Sequence, residues 1–108
     1  MKLIELQAPS REKPRIDIEV YGRKAILTID YWKTVWQISK RGHTEIIKFC
    51  WNYMARRNLR GNIVVHEDIV RFPIRRSDLD QILPKLMQVV EKHLEPWRPR
   101  GGGAEDAR

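Results

Sequence analysis

The clearest pattern in the chain is an alternation of apolar and polar residues in two neighbouring stretches. In Arg15–Tyr21, isoleucine or valine occupies every second position, and acidic residues stand between them. Lys24–Asp30 follows after a short gap and is rich in β-branched residues. Alternation with period two is typical of half-buried strands, and an intervening glycine favours a tight turn. The two stretches therefore predict a β-hairpin with Gly22 at its turn.

Two helices are predicted after the hairpin. Asp30 can cap a helix over Tyr31–Arg41, which Gly42 would end. Thr44 can cap a second helix, which would stop at Gly61. Apolar residues recur along both segments at the 3.6-residue spacing of a helix with one buried face. On that spacing we expect two tryptophans to be core residues, namely Trp32 and Trp51.

The second half of the chain predicts two more strands and a third helix. Asn62–His66 and Ile69–Phe72 are short β-branched stretches, and Pro73 should end the second of them. The helix begins at Ser77, where the spacing of polar residues suits a capping box, and it carries a long apolar stripe. Pro84 interrupts that stripe and should kink the helix or separate its first turn.

Together these elements predict an α+β fold. A weakly alternating start, Met1–Gln7, adds an edge strand. An antiparallel sheet of four to five strands would then be packed on one face by about three helices. We expect residues 1–95 to form a single domain, since the length allows one modest core. Residues 96–108 contain prolines and three consecutive glycines, and we expect them to form a flexible tail.

The distribution of charge along the chain indicates where a functional surface would lie. The chain has 21 lysines and arginines against 14 acidic residues, for a formal net charge of +7. Nine of the basic residues fall between Lys40 and Arg76, where only three acidic residues oppose them. Such a segment favours an acidic partner, and rings among the cations can stack unpaired bases while the cations contact phosphates.

Candidate nucleic-acid-binding residues come from three places in the chain. They are a tryptophan flanked by lysines on the first predicted helix, one shoulder of the second helix, and the basic strand that follows, in which Arg71 and Arg75 can share a sheet face. Arg23 and Lys24 at the hairpin turn can extend the patch. The alternative, rings that widen the core beneath solvated cations, remains open at each place. The candidates are Lys33, Trp36, Lys40, Phe49, Tyr53, Arg56, Arg57, Arg60, Arg71, Phe72, Arg75 and Arg76.

Catalytic and metal-binding patterns are weak. The three histidines, His43, His66 and His93, have no ligand spacing with one another or with Cys50. We therefore expect no enzymatic activity, no metal and no cofactor. A single cysteine fits a reducing compartment, and no apolar run suits a signal peptide or a membrane span. We expect a cytoplasmic protein without a membrane partner.

With these residues in view, the chain resembles the archaeal ThermoDBP group of single-stranded-DNA-binding proteins, and especially the shorter ThermoDBP-related proteins. The resemblance covers Arg15 to Leu94 and depends on the hairpin, the helix containing Tyr31 and Trp32, the next helix, the strand at residues 61–65 and the basic segment Arg71–Arg76. It implies a cleft with an apolar floor and a basic rim, and assembly into dimers or tetramers. Nothing after Leu94 carries heptads, so the zipper of the founding members is not matched. Frequent arginine fits a thermophilic source.

We therefore expect a protein that binds single-stranded DNA, or RNA, with little sequence preference. Rings that stack need unpaired bases, which favours single strands over duplex. The alternative is a protein-interaction, regulatory or assembly subunit, in which the basic segment meets an acidic protein and the tryptophans anchor the interface.

Overall fold

The computed structural model describes residues 2–7 and 13–97. Its main element is an antiparallel sheet with strand order β1-β2-β3-β6-β5. These strands are β1 (Lys2–Gln7), β2 (Arg15–Tyr21), β3 (Lys24–Asp30), β5 (Val64–Val65) and β6 (Ile69–Arg75). A small second sheet pairs β4 (Trp36–Ile38) with β7 (Leu94–Pro96). The helices are α1 (Lys40–Arg57) and α2 (Leu79–Lys92), and a 3₁₀ turn, Arg76–Asp78, precedes α2.

The predicted α+β class is confirmed, and strand alternation decides which sheet face is buried. Every second residue of the three central strands belongs to the core that both helices join. Removal of this apolar surface from water is the main favourable term in folding. The strand residues are Ile16, Ile18, Val20, Ala25, Leu27, Ile29, Val70, Phe72 and Ile74. The principal helix residues are Ile46, Cys50, Met54, Ile82, Leu86 and Val90.

The hairpin and the edge strand are confirmed. Strands β2 and β3 have the predicted bounds and pair in continuous register from Arg15 opposite Asp30 to Tyr21 opposite Lys24. Gly22, the first of the two turn residues, has a φ of 64°. This is the pattern of a type II′ turn, which favours glycine at that position. The backbone of β1 pairs with β2 at the edge of the sheet.

The described residues contain two α-helices rather than the predicted three. The helix expected over Tyr31–Arg41 does not form, because the side chain of Asp30 makes a turn instead of a helix cap. Its Oδ1 accepts a hydrogen bond of 2.8 Å from the Trp32 amide, and Lys33 follows with a φ of 71°. The β-branched and aromatic residues beyond this turn form β4, as their preference for extended backbone favours.

Helix α1 therefore starts earlier than predicted and also ends earlier. Ser39 caps it, since its hydroxyl accepts a hydrogen bond from the Gly42 amide at 3.1 Å. Gly42 lies within the first turn, where a Cβ would come 2.6 Å from the Cβ of His93. The helix ends at Asn58, which adopts the left-handed conformation that terminates many helices. Gly61 is not the terminator.

Strand β6 is longer than predicted, because Pro73 does not end it. The strand continues to Arg75, and Pro73 lies opposite Ile26 of β3. On the other side, β5 pairs only with Val70 and Arg71, so Pro73 lies beyond the paired part of that edge. Proline is tolerated at such unpaired edge positions.

Two predictions about the C-terminal part need correction. The capping box at Ser77 does not form, because α2 begins after Asp78, whose carboxylate bonds elsewhere. The helix runs continuously through Pro84. The predicted flexible tail begins with Pro96, which instead pairs with Trp36 in the small sheet. Residues 98–108 of that tail lie outside the described residues.

Candidate nucleic-acid interface

A pocket of about 790 Å³ opens at the hairpin end of the main sheet. Cations from three elements line it: Arg23 and Lys24 at the hairpin, Arg57 at the end of α1, and Arg75 and Arg76 at the end of β6. The remaining lining residues are Gly22, Asn58, Leu59 and Ser77, so the lining contains no acidic residue. We call these nine residues the basic pocket. An arrangement of this kind suits an anion.

Sheet register brings these cations together. Lys24 is the first residue of β3 and lies opposite Arg75, the last residue of β6. The backbone amide of Arg76 then donates a hydrogen bond of 3.0 Å to the carbonyl of Arg23. Strand β6 therefore leaves the sheet directly beside the hairpin turn, and two basic dipeptides that are distant in sequence become neighbours.

A buried tyrosine organises the helix side of the pocket. The Tyr53 hydroxyl donates to Asp78 Oδ2 at 2.7 Å and accepts from the backbone amide of Arg75 at 2.9 Å. Arg57 Nε lies 2.9 Å from the same carboxylate oxygen. The Arg75 guanidinium donates to the Arg57 carbonyl at 3.0 Å. Tyr53 thereby connects α1, β6 and the 3₁₀ turn beneath the pocket.

Titration properties agree with this hydrogen-bond pattern. Burial raises the pKa of Tyr53 to about 12, so its hydroxyl keeps the proton that it donates. The hydrogen bond from Tyr53, together with the one from Arg57, lowers the pKa of Asp78. Asp78 is therefore a carboxylate at neutral pH; it forms an ion pair with Arg57 and also attracts the more distant charge of Arg75.

The other cations of the pocket have no carboxylate in direct contact. Within residues 13–97, no carboxylate lies at salt-bridge distance from Arg23, Lys24, Arg75 or Arg76. All four residues are exposed. Among the pocket cations, Arg57 lies in the last turn of α1, where the helix dipole favours a positive charge. Arg23, Lys24 and Arg76 belong to other elements, and no helix dipole explains their position. Their convergence is a property of the tertiary fold.

A shallow groove between the helices continues from the basic pocket. Its cavity is only about 60 Å³, and it shares Arg57 with the pocket. Half-buried Phe49 lines it, and Arg56 and Lys85 lie on either side. We call this the interhelical groove; its lining is completed by Tyr53, Asp78, Gln81 and Ile82. A ring and cations therefore adjoin here, as base stacking with phosphate contact requires.

Six of the predicted site residues thus line this continuous surface: Arg57, Arg75 and Arg76 in the pocket, and Phe49, Tyr53 and Arg56 in the groove. Arg60 is exposed in the loop that follows Asn58, three residues beyond the end of α1. It therefore does not lie on the predicted helix shoulder.

Two predicted rings cannot serve as surface rings. Phe72 is fully buried, because β6 alternates and places it on the helix side of the sheet. Tyr53 is 3% exposed and meets Phe72 edge to face, with ring centroids 6.0 Å apart. For these two residues the core interpretation is the correct one. Tyr53 acts on the pocket through its hydroxyl.

Arg71 does not join the pocket either. It lies on the sheet face opposite the helices, where its Nη1 is 2.9 Å from Glu19 Oε1. Asp17 and Asp30 share that face by register, and Arg15 contacts Asp17 at 3.0 Å. The expected basic platform is therefore a mixed-charge surface.

The remaining predicted residues lie at the opposite end of the sheet. Lys33 and Trp36 follow the end of β3, and Lys40 begins α1. Trp36 is half-buried and lines a separate cavity of about 470 Å³ with Tyr31, Met87 and Leu94. Lys33, Trp36 and Lys40 are separated from the basic pocket by the length of β3, which is about 20 Å for its seven residues.

The expected core positions of two tryptophans are wrong. Trp32 is 63% exposed in the turn after β3, with Lys33 Nζ 4.6 Å above its ring centroid. Trp51 is 59% exposed, because the buried stripe of α1 runs through Ile46, Cys50, Tyr53 and Met54. Trp51 lies about 200° round the helix from Phe49, away from the interhelical groove.

Arg23 and Lys24, expected only as an extension of the patch, line the pocket, and Lys85 was not among the candidates. Turn chemistry predicted the hairpin, and its basic turn was visible in the sequence. The register that sets Lys24 against Arg75 joins residues 51 positions apart in the sequence and has no local signal. Lys85 lies on the predicted third helix, but its approach to α1 depends on how the two helices pack.

The described residues give little support for a metal-binding or catalytic site. His43, His66, Glu67, Asp68 and Trp97 line a cavity of about 360 Å³. No group of three or more acidic, histidine or cysteine side chains within residues 2–7 and 13–97 is arranged to hold a metal ion. Cys50 is fully buried, and burial raises the pKa of its thiol to about 12, which makes it a poor nucleophile.

Comparison with known proteins finds no matching family model, and no similar curated protein or solved structure. Neither helix in the described part of the chain has the length and apolar character needed to cross a membrane. Arguments about function therefore depend on the geometry of the pocket and the groove.

Proposed function

We propose that this protein binds single-stranded nucleic acid, DNA or RNA, with little sequence preference, through the basic pocket and the interhelical groove. The observation that carries the proposal is the convergence of five cations around a pocket whose lining has no acidic residue. Phosphates would be held by these cations, and a base would rest on Phe49 in the adjoining groove.

Single strands fit this surface better than duplex for a geometric reason. A phenylalanine ring contacts a base through its face only when that base is unpaired and accessible. Phe49 lies between two helices rather than on a protruding helix or strand that could enter the major groove.

The direct test is a titration of oligo-dT, its RNA counterpart and a duplex by fluorescence anisotropy at two salt concentrations. Four to five cation–phosphate contacts on a single strand predict a log–log salt slope of about −3. A fourfold rise in salt should then weaken binding about 60-fold. Tight binding that does not respond to salt, or equal binding of duplex, would contradict the proposal.

The groove is tested by a matched pair of variants on one helix. Phe49→Ala should weaken binding about tenfold or more, since stacking of a base contributes roughly 1–3 kcal/mol. Trp51→Ala removes a larger and more exposed ring from the other side of α1, and it should leave affinity unchanged. The opposite ranking in the same assay would move the strand out of the groove.

A second candidate function is supported by the exposed tryptophans. Trp32, Trp51 and Trp97 are each more than half exposed. Tryptophan is enriched among the residues that dominate protein–protein interfaces. On this alternative the protein is an interaction or assembly subunit. If the wild-type protein binds no oligonucleotide, this alternative is favoured.

A further inference from the structure

We propose that the basic pocket binds a terminal phosphate, the phosphomonoester at the end of a nucleic-acid strand, rather than an internal phosphodiester. This inference rests on the proposed function and extends it by naming the part of the strand that the pocket takes. Three properties of the pocket carry it: its charge, its shape and the way its cations are held.

The first property is an excess of positive charge over what an internal linkage can neutralise. A phosphodiester carries one negative charge, whereas a phosphomonoester carries about −1.5 to −2 at neutral pH and presents three acceptor oxygens. Of the five cations around the pocket, only Arg57 has a carboxylate partner in the described structure, namely Asp78. Arg23, Lys24 and Arg76 remain for the ligand, together with Arg75, whose charge Asp78 offsets only from a distance. A doubly charged group satisfies these cations better than a singly charged one.

The second property is the shape of the site. A strand that continues in both directions is usually followed by a groove with cations placed along it. Here the cations approach one volume from three elements, and that volume of about 790 Å³ lies in the range of roughly 300–1,000 Å³ found for discrete ligands. The interhelical groove has about 60 Å³ and continues from it at Arg57. This geometry suits a strand end seated in the pocket, with the next nucleotide against Phe49.

The third property is a division between fixed and free cations. The Arg57 side chain is held by Asp78, and the Arg75 guanidinium donates to the Arg57 carbonyl. These contacts orient two guanidinium groups before a ligand arrives, which reduces the entropy lost on binding. Arg23, Lys24 and Arg76 are exposed and have no carboxylate at salt-bridge distance within residues 13–97. They can close on a phosphate from the solvent side, where arginine forms paired hydrogen bonds with phosphate oxygens.

The test compares three oligo-dT strands of about 12 nucleotides, a length within the site sizes of single-strand binders. Each carries an internal fluorophore, and they differ only in their ends: hydroxyl at both ends, a 5′-phosphate, or a 3′-phosphate. We expect at least one phosphorylated strand to bind the wild type about tenfold more tightly than the hydroxyl strand, as charge-assisted hydrogen bonds would give.

A matched pair of variants assigns the preference to the pocket. Arg76→Gln removes an exposed guanidinium but keeps the backbone amide that bonds to Arg23, so the fold should be retained. It should abolish the preference for the phosphorylated strand. Arg41→Gln makes the same change of charge at an exposed position in the first turn of α1, at the other end of the molecule. It should retain the full preference.

The possible failures separate the two proposals. Equal binding of all three strands, weakened uniformly by Arg76→Gln, would overturn end recognition while leaving single-strand binding intact. No binding of any strand at low salt would overturn both. Thymidine monophosphate is then added as a competitor to distinguish a strand end from a free nucleotide. Displacement only at a large excess supports the strand end, whereas displacement at equal phosphate concentration would assign the pocket to free nucleotides.

Discussion

The two ends of the main sheet differ in both charge and surface rings. At the hairpin end, five cations surround the basic pocket, Phe49 lies in the adjoining groove, and the exposed ring of Tyr21 precedes the turn. At the other end, beyond Asp30, lie three tryptophans, of which Trp32 and Trp97 are more than half exposed. The longest dimension of the described molecule is 45 Å. The cations of the basic pocket and the three tryptophans beyond Asp30 therefore lie at opposite ends of the sheet.

The contrast shows how a strand-and-helix fold redistributes sequence neighbours. Lys33 and Trp36 follow β3, whereas Arg23 precedes it and Lys24 begins it, so the length of one strand separates the two pairs. Helix α1 does the same, since it begins at Lys40 and ends at Arg57. A binding surface that uses phosphates and bases together is consequently confined to the pocket and the groove. The tryptophan end is left for another role.

The largest expected effect comes from removal of the uncompensated cations. The triple variant Arg23→Gln, Lys24→Gln and Arg76→Gln should weaken single-strand binding at low salt by about 100-fold or more, because each loses a charge-assisted contact. Its salt slope should also become shallower by about 2. Anisotropy titrations at several salt concentrations measure both quantities.

The matched triple at the other end is Lys33→Gln, Lys40→Gln and Arg41→Gln. It changes the net charge by the same amount at exposed positions remote from the pocket. Its affinity should stay within a few-fold of the wild type, since exposed charges beyond about 10 Å are screened at moderate salt. If both triples weaken binding equally, overall charge rather than the pocket controls binding.

A second comparison uses two buried tyrosines, one at each end. Tyr53→Phe removes a hydroxyl that bonds to Asp78 and to the Arg75 amide, and it should lower the free energy of unfolding by about 1–3 kcal/mol. Tyr31→Phe removes a hydroxyl that is buried without a hydrogen-bond partner in the described structure. It should be neutral or stabilising, because an unsatisfied polar group is removed from the core. Urea unfolding of the two variants gives the ranking.

That pair of variants also bears on binding. Tyr53→Phe leaves all cations of the basic pocket in the sequence, but it removes the link that orients Arg57 and Arg75. Affinity should fall several-fold, even where the variant is fully folded. A Tyr31→Phe variant that is destabilised as much as Tyr53→Phe would show that the difference in hydrogen bonding between the two ends is not energetically important.

The secondary structure was largely predictable from the sequence, whereas the site was predictable only in part. Apolar and polar residues alternate over the seven residues of β2, and the seven of β3 are rich in β-branched residues, which are local signals for strands. The glycine turn between them fixes their pairing. The first predicted helix failed, since Asp30 can cap a helix or form a turn with the same hydrogen bond to an amide two residues on. Tertiary packing decided between them. The approach of Arg75 to Lys24 is a non-local register, which no segment encodes alone.

Exposure of Trp32 and Trp51 was mispredicted for a related reason. Both lie on helical spacing in the sequence, but Trp32 is not in a helix, and α1 turns its core stripe toward Tyr53 instead of Trp51. The polar hydroxyl of Tyr53 made it look like a surface residue. Its burial is possible because Asp78 and the Arg75 amide satisfy that hydroxyl, and these partners come from distant elements.

Acidic pH should have a smaller effect, on the stability of the fold, and it should act through Asp78 at the hairpin end. Since Tyr53 and Arg57 lower the pKa of Asp78 below its ordinary value near 3.8, the ionised carboxylate stabilises the fold above about pH 4. This contribution is lost as the pH falls through the folded-state pKa. The wild type should therefore melt at a higher temperature than Asp78→Asn at pH 6, and the difference should vanish toward pH 2. Asp80→Asn, at an exposed position in the first turn of α2, should show no such convergence.

The smallest expected change is in tryptophan fluorescence, and it tests whether the two ends act separately. None of the four tryptophans lines the basic pocket or the interhelical groove. Saturating oligo-dT should consequently leave the emission nearly unchanged, even though acrylamide should quench the exposed rings efficiently. A strong quench on binding that Trp97→Phe removes would show that the strand reaches the far end. A quench removed by Trp51→Phe would instead place the strand across the outer side of α1. Either result would end the separation between a phosphate-binding end and a tryptophan end, because one ligand would then contact both.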